Sequence, residues 1–294
     1  MAKYCIGTAQ FGMPYGIANR NGQPNLDEII SILNFALSKK IRYFDTAQSY
    51  GNCEALIGRA LRNIPNSHNI KIISKLSPSL ENNNSKRILK SVEDSLKKLG
   101  IKTLYGFLAH SKNDIDSETF FETMKKLKSE GLIQKSGISI YSPREALNLI
   151  THPGIDMIQM PLNILDRRWI DEGIFEKAKE NNTQLFFRSI FLQGLIFLNE
   201  EELVQKSMSW AKPHLHKFNK LVNETNYTKL ELTLGILSEM SKENVIIMGF
   251  DTLEQFKENW NIINSSSLID NKTVRDWWEK LPFFPNRLLN PSKW

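Results

Sequence analysis

A chain of 294 residues with 41% hydrophobic side chains suits one large α/β barrel or two ordinary domains. No apolar run approaches the roughly 18 residues needed to cross a bilayer, and the opening Met-Ala-Lys-Tyr-Cys-Ile-Gly lacks a basic region leading into an apolar segment, so a cytoplasmic protein without a membrane partner is expected. The formal net charge is +6, yet the basic residues are interleaved with acids and never run beyond adjacent pairs such as Lys97-Lys98 and Arg167-Arg168. That pattern reads as solvated helix faces, not a nucleic-acid surface, although mild positive charge attracts phosphorylated ligands.

Strand-like and helix-like segments alternate from near the start to about Ile263. A strand is expected over residues 4–8. A helix over 26–39 places Ile29, Ile30, Leu33, Ala36 and Leu37 on one face. A strand over 42–45 follows, with a helix beginning near Cys53. Next come a strand over 70–75, a helix over 85–99, a strand over 104–109 and a helix over 117–132. Strands over 135–140, 156–160, 184–189 and 245–248 complete the series. Eight short strands, each with a helix behind it, predict a parallel sheet closed into a (β/α)8 TIM barrel, a single domain over 1–294. A doubly wound open sheet is the alternative. It wants a glycine-rich GxGxxG turn, whereas Gly7-Thr-Ala-Gln-Phe-Gly12 has two glycines and no helix is expected behind it. Residues 199–240 are long for one loop and one helix, so an extra helix over 200–210 is expected before a barrel helix over 228–240. Such insertions at the carboxyl face commonly cover a site. The tail from Asn264, with Trp277, Trp278, Phe283, Phe284 and Trp294, is expected to pack over one end of the barrel.

Chemistry concentrates at the ends of three successive strands. Asp45 ends the second, Lys75 the third, His110 follows the fourth, and Tyr50 lies in the loop after Asp45. The carboxyl ends of barrel strands are where this architecture carries its active sites. Tyrosine is a weak acid with a reference pKa of about 10. An ammonium nearby favours phenolate, so Lys75 is expected to lower Tyr50, with Asp45 holding Lys75 and His110 donating to a substrate oxygen. Taken singly, Asp45 reads equally as a cap, Lys75 as a solvated lysine and His110 as a core histidine. No nucleophile or metal-ligand set accompanies them, which points away from hydrolysis and toward protonating the alkoxide formed when hydride reduces a carbonyl. Cys5 and Cys53 lack zinc or redox spacing and read as buried thiols.

With these residues in place the sequence resembles the aldo-keto reductase superfamily over Gly7 to Asn259. The matching pieces are Gly7-Thr-Ala-Gln-Phe-Gly12, Phe44-Asp-Thr-Ala-Gln-Ser-Tyr-Gly51, Ile73-Ser-Lys75, Leu108-Ala-His110, Gly137-Ile-Ser139, Ile158-Gln-Met-Pro-Leu-Asn163 and Arg188-Ser-Ile-Phe-Leu-Gln-Gly194. The resemblance implies a barrel that binds NADPH in extended form, with the tetrad Asp45, Tyr50, Lys75 and His110 and with Tyr50 as proton donor. It implies that Thr8 and Gln10 lie near the nicotinamide ribose, that Asp45 also belongs to the cofactor-binding set, and that Ser139 and Gln159 hold the carboxamide. Ser189, Phe191, Gln193 and Gly194 would flank the pyrophosphate. Gly249, Asp251, Thr252, Gln255, Glu258 and Asn259 would surround the adenosine end.

Three positions depart from the family pattern. Ile140 follows Ser139 where an Asn is usual. Arg188 stands where an aromatic often stacks on the nicotinamide. Asp251 and Gln255 replace cations that usually meet the 2′-phosphate, so NADP preference is expected to weaken in favour of NAD. Ala9-Gln-Phe-Gly12, Ile140 and the tail ending Asn290-Pro-Ser-Lys-Trp294 look most like bacterial reductases of surface-polysaccharide sugar synthesis, which suggests a sugar or nucleotide-sugar substrate. Two other classes stay open: a cofactor-binding regulatory subunit, and a sugar isomerase or dehydratase using Tyr50 and Lys75. Asn163 and Arg167 are candidates for the substrate cleft, and Trp210 for a cap over it.

Overall fold

Eight parallel strands close into a barrel in the order β1-β2-β3-β4-β5-β6-β7-β8. They are β1 Lys3–Gly7, β2 Tyr43–Asp45, β3 Lys71–Lys75, β4 Leu104–Ala109, β5 Ile133–Ser139, β6 Met157–Pro161, β7 Gln184–Arg188 and β8 Val245–Met248. The computed structural model describes residues 3–65, 67–78, 84–112, 118–240, 243–265 and 271–294. Every expected strand is present with ends shifted by at most two residues. Closure is made by β1 pairing with β8, Lys3 opposite Val245 and Ile6 opposite Met248.

Side chains alternate across each strand, and the alternation separates two cores. Ile6, Phe44, Ile72, Phe107, Ile158, Phe187 and Ile246 belong to the larger apolar cluster that also takes in the helix faces. Cys5, Ile73, Leu108, Met157, Phe186, Val245 and Ile247 form a separate cluster filling the barrel, with Tyr43 and Tyr105 against it. Continuing that inner phase two residues onward reaches Gly7, Asp45, Lys75, His110, Gln159, Arg188 and Gly249. The polar residues at the mouth are the barrel interior's own series, carried past the point where apolar side chains fill it.

The helices explain themselves locally. Asn25 caps Leu26–Ser38 by accepting from Glu28 N, with Asp27 and Glu28 in the first turn. Asn84 caps Ser85–Leu99, which ends at Gly100 in the left-handed conformation, φ 69°. The fourth barrel helix spans Glu118–Ser129; the expected start at Ser117 lies outside the described residues. One short element was not anticipated: Ala9–Gly12 makes a single helical turn behind β1.

The insertion after β7 holds more helix than expected. Glu200–Gln205 is followed by a turn at Ser209–Ala211 and a second helix, Lys212–Asn223, with Pro213 in its first turn. Proline at that position lacks only an N–H the helix does not need. The tail packs on this insertion. Trp277, Trp278, Leu281, Phe284 and Leu288 form one cluster with Leu203, Leu215 and Phe218 of the insertion and with Leu192, Leu195 and Ile164 of the loops after β7 and β6. Trp278 Nε1 donates to Ile164 O at 2.5 Å and Trp277 Nε1 to Leu221 O at 3.0 Å. The tail therefore braces the insertion on the mouth side of the barrel. Among the described residues, no helix is long and apolar enough to cross a membrane.

Candidate active site

At the centre of the mouth lies a buried ion pair. Lys75 Nζ donates to Asp45 Oδ1 at 2.7 Å, to Asp45 Oδ2 at 2.8 Å and to Thr46 O at 2.9 Å. All three ammonium protons are thus committed. Lys75 is 1% exposed and Asp45 4%. From across the barrel, Gln159 Nε2 donates to Asp45 Oδ1 at 2.7 Å. Thr8 closes the group from β1, its hydroxyl donating to Asp45 O at 2.8 Å.

Tyr50 sits over this pair, with Lys75 Nζ 5.1 Å from its ring centroid. Its loop is positioned by glycine. Gly51 has φ 55°, and a Cβ there would run into Gly12 O; a Cβ on Gly12 would run into Tyr50 O and lie 2.6 Å from the Cys53 Cβ. The two backbones touch without side chains between them, which brings the Ala9–Gly12 turn under Tyr50. His110 is half-buried with its ring 6.3 Å from that of Tyr50, edge to face. Burial, with Lys75 and Arg188 adding to it, lowers His110 to about 4, so it is neutral at pH 7. The Cys5 and Cys53 thiols are free and buried, and burial raises both.

The electrostatics correct one expectation. Lys75 does not draw the Tyr50 proton off: burial, then the Asp45 carboxylate, push the phenol well above its ordinary value, and Arg188 is the charge that pulls it back.

A cavity of about 980 Å³ opens beside Tyr50 and Asp45. Thr8 and Gln10 line it at the end of β1; Arg188, Ser189, Phe191, Gln193 and Gly194 line it after β7. Gly249, Asp251, Gln255, Glu258 and Asn259 line it after β8. The loop after β7 holds three non-glycine residues in the left-handed region, Ser189 at φ 58°, Leu192 at 49° and Gln193 at 55°. Such strain persists only where surrounding structure imposes it.

Five expected residues stand back from the cavity wall: Lys75, His110, Ser139, Gln159 and Thr252. Thr252 caps the helix Leu253–Asn264, accepting from Gln255 N. Ser139 is buried beneath Arg188, whose Nε lies 3.3 Å from its Oγ. Gln159 is fully buried, and its side-chain oxygen has no hydrogen-bond partner among the described residues. Ile140 contributes its carbonyl instead of a side chain, accepting from Arg188 Nη2 at 3.1 Å.

Asn163, Arg167 and Trp210 are not in the cavity wall. Asn163 is buried and turns its Oδ1 to Leu165 N. Arg167 Nη1 donates to Glu279 O at 2.6 Å and so ties the loop after β6 to the tail. Trp210 takes the Arg287 guanidinium on its ring at 4.2 Å. Conversely, sequence reasoning passed over Tyr15, Ala18, Asn19 and Arg20, which line the cavity from the loop after β1. That loop is strapped across the mouth: Ala18 N donates to Gln193 O, Asn19 Nδ2 to Asp251 Oδ1 at 3.2 Å, and Arg20 pairs with Glu202. Only Gly16 and Gly22, both at positive φ, marked it in the sequence. Lys229 also lines the cavity, donating to Ile196 O at 2.8 Å.

The family model described as the aldo/keto reductase family matches residues 3–280. The chain is 25% identical to aldo-keto reductase YhdN of Bacillus subtilis, over 90% of this chain and 88% of that one. It is 32% identical to probable aldo-keto reductase 1 of Glycine max, over 86% of this chain and 79% of that one. Among solved structures, the aldo-keto reductase AKR11C1 from Bacillus halodurans superposes with a TM-score of 0.72 at 20% identity, covering 94% of this chain and 91% of that one. The glycerol dehydrogenase AKR11B4 from Gluconobacter oxydans gives 0.73 at 23% identity, covering 98% and 94%.

Proposed function

This chain belongs to the aldo/keto reductase family, and on that premise we propose that it is an NAD(P)H-dependent carbonyl reductase with Tyr50 as its proton donor. The observation that carries the reading is the buried Lys75–Asp45 pair lying under the Tyr50 ring at the wall of a cavity large enough for an extended dinucleotide. The cofactor fits the residues present. Gln159 offers a buried, unpartnered oxygen at the mouth, an acceptor for a carboxamide N–H. Gly194 lets the loop after β7 approach Ala18 in the cavity wall, and Gly249 leaves room for the Gln10 amide, 2.6 Å from where a Cβ would stand.

When bound, the nicotinamide supplies hydride to the carbonyl carbon. Tyr50 stays protonated at neutral pH because burial and Asp45 raise it, so it meets the substrate as an acid. The Asp45–Lys75 pair holds the floor under its ring and carries no net charge. His110, neutral and edge-on to Tyr50, would offer a ring nitrogen to the carbonyl oxygen and so orient it toward the Tyr50 proton.

At the other end of the cavity Asp251 supports NAD over NADP. Its carboxylate is turned to Asn19 and its backbone N–H donates to Gln255 Oε1 at 2.8 Å. A 2′-phosphate there would face a carboxylate at close range. The likeness of residues 9–12, Ile140 and the tail to reductases of surface-polysaccharide sugar synthesis supports a keto-sugar or nucleotide-sugar as substrate, and a cytoplasmic location belongs to the same reading. The test is a Tyr50→Phe variant assayed on a carbonyl panel that includes keto-sugars. Its turnover is expected to fall by ~10²–10⁴-fold, with the dissociation constant for NADH within twofold of wild type. Undiminished turnover would remove the assignment, and tighter binding of NADPH than NADH would reverse the choice of cofactor.

A further inference from the structure

Among the described residues, Arg188 at the mouth of the barrel has no counterion. It ends β7 on the inward phase and lines the cavity, half-buried. Its guanidinium is held on three sides. Nε donates to Ser139 Oγ at 3.3 Å, Nη1 to Ser189 Oγ at 3.3 Å and Nη2 to Ile140 O at 3.1 Å. The plane stacks on Tyr141, with Cζ 4.3 Å from the ring centroid. Every one of these partners is neutral. Among the described residues no carboxylate pairs with Arg188, and Asp45 in the same cavity is already matched by Lys75. A rigidly held positive charge is therefore left facing the space beside Tyr50.

Behind that space, set back from the cavity wall, lies a buried acceptor without a partner among the described residues, Gln159 Oε1, and Gln159 stands opposite Ser139 in the β5–β6 register. Ser139 in turn holds the Arg188 Nε. A carboxamide on Gln159 brings its ring under the influence of the guanidinium. The ring is uncharged when reduced and carries one positive charge when oxidised.

We propose that Arg188 makes the site discriminate between the two redox forms of the cofactor, binding the reduced, uncharged ring and repelling the oxidised, cationic one. The inference rests on the nicotinamide reading above. Its consequence is selective loading of the reduced form and rapid loss of the oxidised form after turnover.

The test is the ratio of dissociation constants for oxidised and reduced cofactor, measured by calorimetry on the full chain with NAD⁺ and NADH and again with NADP⁺ and NADPH. Pyrophosphate and adenosine contacts are common to both forms and cancel in the ratio. Wild type is expected to favour the reduced form by about tenfold, the scale for partly screened like charges a few ångströms apart. Arg188→Gln removes the charge while keeping an amide that can reach Ser139, and the ratio should fall toward one. Arg188→Lys retains the charge and should keep most of the preference. A wild-type ratio within twofold of one, or an unchanged ratio in Arg188→Gln, overturns the proposal while leaving the reductase reading intact. Failure of every form to bind wild type overturns both. Circular dichroism and thermal unfolding confirm that each variant is folded; if Arg188→Gln is not, Arg188→Met, which also removes the charge, takes its place.

Discussion

Lys75→Met isolates the central electrostatic feature. The substitution keeps the length of the side chain and removes the ammonium, so Asp45, 4% exposed, is left with Gln159 Nε2 as its remaining side-chain donor. Removing one partner of a buried pair costs ~3–5 kcal/mol because the other charge stays in a low-dielectric surround. An exposed pair such as Lys179–Glu243, with side chains 70% and 62% exposed, contributes at most ~1 kcal/mol by comparison. Unfolding entropy of ~2.1 cal/mol/K per residue, over 294 residues, is ~0.6 kcal/mol/K, so the loss corresponds to a fall in Tm of ~5–8 °C. Urea unfolding followed by tryptophan fluorescence and far-ultraviolet circular dichroism measures it. The companion variant Asp45→Asn/Lys75→Met carries neither charge and should recover at least ~2 kcal/mol relative to Lys75→Met. The reasoning is refuted if Lys75→Met loses under ~1 kcal/mol, or if the double variant is no more stable than the single one.

His110 supplies a pH signature. Its folded pKa of about 4 lies below the unfolded value of ~6.5, so the unfolded chain takes up its proton first as pH falls. The contribution is complete above pH ~6.5 and is lost on descending toward pH 4. His110→Gln should flatten the urea midpoint between pH 7.5 and 5 relative to wild type, and parallel curves would contradict this. Gly12→Ala forces a Cβ into Tyr50 O and Cys53; a stability loss of ~2 kcal/mol or more is expected, together with lower turnover in the folded fraction. A wild-type denaturation curve would show that the loop yields. Asp251→Ser should raise affinity for NADPH relative to NADH by about tenfold, as read by titration; an unchanged ratio would clear Asp251 of the role.

Much of the barrel was legible because its signals are local. Each strand is a short apolar run bounded by loop residues, Asp45 and Lys75 stand at the ends of two such runs, and Gln159 and Arg188 were marked by the family resemblance. The cavity wall from the loop after β1 was not legible, since Tyr15, Asn19 and Arg20 carry no periodicity and gain meaning only from Gln193, Asp251 and Glu202, far along the chain. The roles of Arg167 and Trp210 were equally hidden. Both are taken up by the tail, through Glu279 O and Arg287, and no spacing in the sequence announces that meeting.

The amino-acid order by itself determined the strand–helix alternation, the closed count of eight and the identity of the ionisable groups at the strand ends, because period and position along a strand are properties of neighbouring residues. Tertiary structure alone decided how those groups divide the charge. Lys75 donates its three N–H bonds to Asp45 and Thr46, burial and Asp45 leave Tyr50 raised instead of lowered, and Arg188 is the cation beside it without a carboxylate partner among the described residues. The reason is physical: a pKa depends on burial and on distances across the barrel, and both come into being only when the sheet closes.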